Sequence, residues 1–338
     1  MTISLFVLVT VIIAALAFDF VNGFHDTANA IATVVSTKVL PLSTAIFIAA
    51  VLNFVGAFFG GGAVAHTITN GIVSPEGVSQ VLILSALLGA IFWGMVTWYY
   101  GLPSSSSHAI IGGLVGAALA KSGVAIVRGE GLLKIVMILV TSPLVGFLLG
   151  FLVMVVVFWL CYKTHPKTSA PLFRWLQTLS ASFMALAHGN NDAQKSMGVI
   201  TMSLVSFEYI SRGVDGHVSI PQWVVLVCAL AMALGTASGG RRIIRTMGTK
   251  IIELRPVHGF AAETTASLTI LGASVVGMPV STTHVISAAI LGVGSTQNPS
   301  AVRWEVAFKM IVAWILTLPI SALVSAVFYV ALSTMLGR

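Results

Sequence analysis

Asp19, Asn22, Asp26, Asn29 and Thr33 follow one another at intervals of three and four residues. On a helix that spacing places all five on one face. Their neighbours are almost all apolar, so the face is a polar stripe within an apolar segment. An acid near the centre of a bilayer costs about 2.5–3.5 kcal/mol on insertion scales, and such a stripe therefore has to face a cavity or a cation. Further along, His188, Asp192 and Lys195 hold the places of Asn22, Asp26 and Asn29. Lys195 is three residues from Asp192 and can pair with it on a helix. An ion pair that merely holds two helices together is the structural alternative for that couple. Glu263 is a further acid, suited to a proton or cation site, or to a helix-end carboxylate near the membrane surface.

A second kind of chemistry lies in two hydroxyl clusters. GLPSSSSH at 101–108 recurs as GMPVSTTH at 277–284. Pro103 interrupts the helix before it. Ser104, Ser105, Ser106 and Ser107 then stand where a new helix begins. Serine is a strong N-cap, and the first backbone N–H groups of a helix have no intrahelical acceptor. Free N–H groups, hydroxyls and the positive end of the helix dipole together suit an anion. Pro279, Ser281, Thr282 and Thr283 repeat the arrangement. Two half-helix starts meeting near the midplane would grip one multivalent oxyanion. The alternative is that these hydroxyls bond back to carbonyls within kinked helices.

The elements that position these groups follow from composition. Of 338 residues 57% are hydrophobic and only 8% charged, with mean hydropathy +1.01. Segments 39–75, 77–120, 135–162, 218–240, 264–302 and 310–337 contain no Asp, Glu, Lys or Arg. A helix crosses a bilayer with about 20 apolar residues, so several runs suffice for two crossings, or for one crossing and a hairpin. The expected class is an all-α polytopic membrane protein. Period-two alternation is missing, which argues against an outer-membrane barrel. Residues 3–18 lack a basic leader and read as a retained first helix. Cys161 and Cys228 are isolated and suggest neither a disulfide nor a metal knuckle. The charge of +7 is explained by loops and requires no nucleic acid.

Lys163, Lys167 and Arg174 fall in one connector, and Arg241, Arg242, Arg245, Lys250 and Arg255 in another. The positive-inside rule makes both cytoplasmic. Segment 211–220 is then outside, Lys38, Arg303 and Lys309 inside, and Lys121, Arg128 and Lys134 outside. Both termini are expected to be extracytoplasmic. The matching motifs recur in the same order: Gly23 to Asp26 with Gly189 to Asp192, Gly56 and Gly60 with Gly235 and Gly239, Pro143 with Pro319. The halves start on opposite sides of the membrane, the pattern of an inverted repeat. The expected organisation is a first inverted repeat at 1–162, a cytoplasmic connector at 163–174 and a second repeat at 175–338. Broken helices or re-entrant hairpins from the two repeats would meet at a midplane site.

GFHDTANA and HGNNDAQKSMG resemble the two signature segments of the inorganic phosphate transporter (PiT) family. PVSTTHVI and LPSSSSHAI are similar to its repeated hydroxyl motifs. The resemblance runs from about residue 19 to 319. It implies a secondary importer of phosphate in a cell membrane, coupled to H+ or Na+, with some members moving a metal–phosphate complex and one branch carrying sulfate. It implies phosphate ligands at Ser105, Ser106, Ser107, Ser281, Thr282, Thr283, Asn29 and Gln194. Coupling-ion ligands would be Asp26, Asp192, Asn22, Asn191 and Glu263. No catalytic residue, resident metal or cofactor is expected beyond the coupling ion. The oligomeric state stays open, a homo-oligomer included. Family relatives often read Gly-Ala-Asn-Asp where this chain has Gly-Phe-His-Asp. His25 lies about 100° around a helix from Asp26, so it need not replace an Asn ligand.

Charge supplies a mechanism. Asp26 and Asp192 would repel bare phosphate, so cation and anion each lower the cost of the other. Rival readings are a sulfate permease of the same fold, a divalent-metal transporter, a channel and an intramembrane hydrolase. The hydrolase lacks a defined base and orienting group. The metal transporter lacks a compact ligand motif in the sequence. ATP coupling has no P-loop to support it.

Overall fold

A computed structural model describes residues 2–213, 218–296 and 299–336. Residues 214–217, part of the loop expected outside the membrane, fall outside the described set. The helices are α1 (Thr2–Ser36), α2 (Leu42–Phe59), α3 (Ala63–Gly71), α4 (Gln80–Tyr100), α5 (Ser106–Ser122) and α6 (Gly129–Cys161). They continue as α7 (Pro166–Ser206), α8 (Gln222–Ser238), α9 (Arg241–Arg245), α10 (Pro256–Val275), α11 (Thr282–Ser295) and α12 (Trp304–Met335). No β-strand occurs among the described residues. Six of these helices are long and apolar enough to cross a membrane, and α8 with segment 241–250 passes the same test as a pair bent by 62°. Leu133, Met137, Val140, Leu144 and Leu148 stand exposed along α6, as expected of a lipid-facing surface. The polar stripe of α1 is instead fully buried.

The two halves use the same order of elements and exchange partners. Helix α2 packs on α7, as α8 packs on α1, and α5 packs on α12, as α11 packs on α6. The first exchange depends on glycine. A Cβ at Gly189 would lie 2.2 Å from the Asn53 carbonyl oxygen, and one at Gly235 would lie 2.1 Å from that of Phe20. Close backbone approach through small residues is the usual way for helices to associate in a membrane.

Both hydroxyl clusters lie between antiparallel helix pairs, α4–α5 and α10–α11. Helix α4 ends at Gly101 with φ 66°, and α10 is followed by Gly277 with φ 71°. In each case the next amide folds back on the helix: Leu102 N–H donates to Thr97 O (2.9 Å) and Met278 N–H to Ala273 O (2.8 Å). Pro103 and Pro279 then prevent the helix from continuing. Ser105 and Ser281 are the N-caps of α5 and α11, accepting from His108 N (3.2 Å) and His284 N (3.3 Å). Local sequence thus dictates helix, stop, extended link and restart at both places.

The tips of these hairpins are tied to the other half. Thr67 of α3 donates to Gly277 O at 2.7 Å. Thr246 donates to Gly101 O at 2.9 Å, and the Arg242 guanidinium lies over the rings of Trp98 and Tyr99, a cation–π contact. Loop contacts fall into two sets. One joins Lys121 to Gly77 O, and Arg128 to Asn70 O. The other joins Arg174 to Lys38 O, and Arg303 to Thr249 O.

Candidate functional site

Helices α1 and α7 cross at the centre, and the restarts of α5 and α11 point their first residues at the crossing. Asp192 of α7 is the node. Its Oδ2 accepts from Ser106 Oγ (3.4 Å), Thr282 Oγ1 (3.2 Å) and Asn22 Nδ2 (3.4 Å). Its Oδ1 is 2.6 Å from Lys195 Nζ. Hydroxyls from both half-helix starts therefore already converge on one oxyanion oxygen. Asp26 of α1 plays the corresponding part on the other side. Its Oδ2 accepts from Thr283 Oγ1 (3.1 Å), and its Oδ1 is 2.5 Å from His25 Nδ1. Asn29 Nδ2 donates to Thr283 Oγ1 (3.0 Å) and Thr282 Oγ1 (3.3 Å). Ser107 donates to Val280 O at 2.8 Å, tying one hairpin to the other.

Buried acceptors are left over. Asn22 Oδ1, Asn29 Oδ1 and both oxygens of Asp19 accept no hydrogen bond from the described residues. Buried polar atoms are rarely left bare, and those that are call for a ligand, an ion or water. His188 adds another. Thr236 donates its hydroxyl to Met232 O, so it accepts from Asn53 Nδ2 (3.0 Å). Asn53 Oδ1 is thereby turned to His188 Nδ1 at 2.9 Å, which fixes the proton on Nδ1. Its Nε2, which makes no hydrogen bond to the described residues, lies 3.5 Å from Asp192 Oδ2. A lone pair set against a carboxylate is repulsive unless a cation or proton stands between them. Ligand atoms of Asp26, His188 and Asp192 all lie within 4.8 Å of one another. The sequence holds no compact metal motif, and the fold brings these three potential ligands together.

Residues 22–325 match the phosphate transporter family. The chain belongs to that family. A probable low-affinity inorganic phosphate transporter of Rhizobium meliloti is 49% identical, the match covering 98% of each chain. Its counterpart in Bacillus subtilis is 48% identical over 98% of this chain and 99% of that one. Among solved structures, one described as the sodium-dependent phosphate transporter superposes with a TM-score of 0.88 at 27% identity, covering 97% of this chain and 99% of the other. These relatives are described as transporters, not as enzymes.

Within this family member, five of the residues expected at the site are engaged elsewhere. Gln194 sits at the break between α2 and α3. Its Oε1 accepts from Val64 N (2.9 Å) and Ala65 N (3.3 Å), and its amide donates to Gly60 O and Asn190. It caps α3, so its polar atoms are occupied by backbone. Asn191 donates to Ser274 of α10 at 2.8 Å. Glu263 has its own buried nest, in which Thr33, Ser180 and Gln177 all donate to the carboxylate. Thr33 follows Asn29 by one turn, about 6 Å along α1, so this nest is the next station on the same stripe. Ser105 and Ser281 are spent as caps.

Other residues reach the centre without having been singled out as ligands. His25 Nε2 lies 3.3 Å from both Thr97 Oγ1 and Ser104 Oγ, linking Asp26 to the first hairpin. Lys195 touches Ser106 Oγ at 3.5 Å as well as Asp192. The rings of His108 and His284 are 4.6 Å apart, and His284 stacks on Trp314, whose indole N–H donates to Pro103 O. A signal existed for Lys195, which stands as a charged residue where the first signature segment has Asn29.

Proposed function

We propose that the protein is a secondary active transporter that imports inorganic phosphate by symport with a cation, Na+ or H+. The observation that carries this reading is the convergence of Ser106 and Thr282, first residues of two repeat-related half-helices, on one oxyanion oxygen. Family membership and the solved relative's description as sodium-dependent support it. Phosphate would be held by these hydroxyls, by Thr283 and Ser107, and by free N–H groups at the two helix starts. Asp26, Asp192 and the bare oxygens of Asn22 and Asn29 would hold cations beside it, with Glu263 and its hydroxyls as a further cation station. Each charge lowers the cost of the other, which is what couples them. The convergence of Asp26, His188 and Asp192, with ligand atoms within 4.8 Å of one another, favours a second form of the cargo, phosphate complexed with a divalent metal.

The cavity beside Asn22, His25 and Ser104 to Ser106 measures about 20 Å³, room for a water but not for phosphate. A cavity of about 880 Å³ lies between α3 and the tip of the second hairpin, lined by His66, Thr67 and Gly277. We take the structure as an occluded form, with that cavity as the approach from the outer face. The repeats at 1–162 and 175–338 would rock about the shared site. Proteoliposomes given labelled phosphate, labelled sulfate or magnesium phosphate, under imposed Na+ or H+ gradients, test this directly. Phosphate should accumulate with one of the cation gradients, and sulfate poorly, because a site with two carboxylates accepts a hydrogen bond that only protonated phosphate donates. No gradient-driven phosphate uptake would overturn the reading.

Orientation has its own test. In a background without Cys161 and Cys228, an impermeant thiol reagent should label Ser211→Cys on intact cells and Thr164→Cys only after permeabilisation. Both side chains are exposed. The reverse pattern would invert the proposed topology, including the extracytoplasmic termini.

A further inference from the structure

The two halves of the site differ at one position in a way that changes its charge. In α1 the residue three after the acid is Asn29, an amide with a bare buried Oδ1. In α7 the residue three after the acid is Lys195, fully buried, with Nζ 2.6 Å from Asp192 Oδ1 and 3.5 Å from Ser106 Oγ. Asp26 and Asn29 offer oxygens to a cation that must come from solution. At the corresponding place beside Asp192 the positive charge is already present, on a side chain. We infer that the Lys195 ammonium is a tethered cation that takes the place of one mobile coupling ion beside the phosphate. This rests on the reading that the central chamber binds phosphate.

The surroundings fit a charge that is used and not simply neutralised. An ammonium has three N–H donors. Asp192 and Ser106 take two, and no other described residue accepts the third. That N–H is available to an oxygen of an anion held by the Ser106 hydroxyl. A pair kept for structure alone would be expected to have its remaining donors and acceptors satisfied by protein, because the desolvation of two buried ions is otherwise not offset. A second acid is also at hand. Asp19 is completely buried, neither of its oxygens accepts a hydrogen bond from the described residues, and it is in electrostatic reach of both Asp192 and Lys195.

The consequence is a stoichiometry. With one cation built in, each phosphate needs one mobile cation fewer than a site with an amide at position 195. The test counts charge. Wild type and Lys195→Asn are reconstituted, the membrane potential is set with potassium and valinomycin, and labelled inorganic phosphate flux is followed to the potential at which it vanishes, at several Na+ concentrations and pH values. Lys195→Asn should move one more positive charge with each phosphate than wild type. Its phosphate affinity should depend on cation concentration with a logarithmic slope steeper by about one. Lys195→Arg, which keeps the charge, should retain the wild-type count at a lower rate. If Lys195→Asn transports phosphate with an unchanged count and slope, the lysine is structural and the inference fails. Should Lys195→Asn not be monodisperse, Asn29→Lys decides: a tethered cation added to the other half should remove one mobile charge, and an unchanged count overturns the idea. Wild type that moves no phosphate at all overturns the functional reading and this inference with it.

Discussion

Asp192→Asn should abolish phosphate uptake and destabilise the protein, whereas Asp26→Asn should abolish gradient-driven uptake while leaving phosphate binding. The difference lies in what each carboxylate touches. Asp192 gathers Ser106, Thr282, Asn22 and Lys195 from four helices. Neutralising it strands the Lys195 ammonium in the interior, and breaking one side of a buried pair costs about 3–5 kcal/mol. A thermal-shift measurement in detergent should therefore show a large loss for Asp192→Asn. Asp192→Asn with Lys195→Asn should regain much of that stability without regaining transport, the signature of coupled neighbours. Asp26 touches Thr283 and its neighbour His25 and has no lysine partner. Neutralising it removes a cation ligand and part of the repulsion of phosphate together. Phosphate affinity in that variant should be measurable in detergent and less dependent on Na+ or pH than in wild type. Full cation dependence with full uptake in Asp26→Asn would remove Asp26 from the coupling site and make the Glu263 nest the next candidate.

Ser106→Ala together with Thr282→Ala should weaken phosphate binding by more than 10-fold in a protein that still folds. Hydrogen bonds to a charged group contribute about 1.5–3 kcal/mol each, and about 1.4 kcal/mol is tenfold in affinity. These two hydroxyls follow the caps and are not the caps themselves. Ser105→Ala and Ser281→Ala remove the groups that satisfy His108 N and His284 N, so those variants should lose stability first, by about 0.5–2 kcal/mol each. Titrating both pairs of variants with labelled phosphate, alongside their melting temperatures, separates ligand from cap. Unchanged affinity in a well-folded Ser106/Thr282 double variant would make the hydroxyls structural.

The local features of this fold were legible in the residues. The stripe on α1 follows from spacing alone. The helix stops and restarts at Pro103 and Pro279 follow from proline and serine chemistry, and the structure places both as hairpins. The recurrence of Gly23 in Gly189, and of Gly56 in Gly235, marked the repeat, while the packing of these glycines across the two halves is seen only in the structure. What could not be read was any contact set by how helices cross. The bare nitrogen of His188 depends on Asn53 and Thr236, each on a different helix. The aim of His25 at Ser104 depends on α1 lying against α4. Gln194 falls in a signature segment next to Asp192, yet a residue two positions on projects about 200° around a helix from it. That turns Gln194 to the α3 side, away from the hydroxyls.

The cap that Gln194 places on α3 also bears on how the chain is made. Val64 and Ala65 are synthesised 130 and 129 residues before the side chain that accepts their N–H groups. In a bilayer those amides have no water to turn to. The carbonyl of Gly60 waits for the same side chain, and Asn53 waits for Thr236 and His188. The first half therefore leaves the ribosome unfinished, held in the membrane by apolar helices but with its broken span open. It is completed only when α7 and α8 are inserted beside it. A chain cut in the 163–174 segment would give two fragments that each span the membrane and that fold only when produced together.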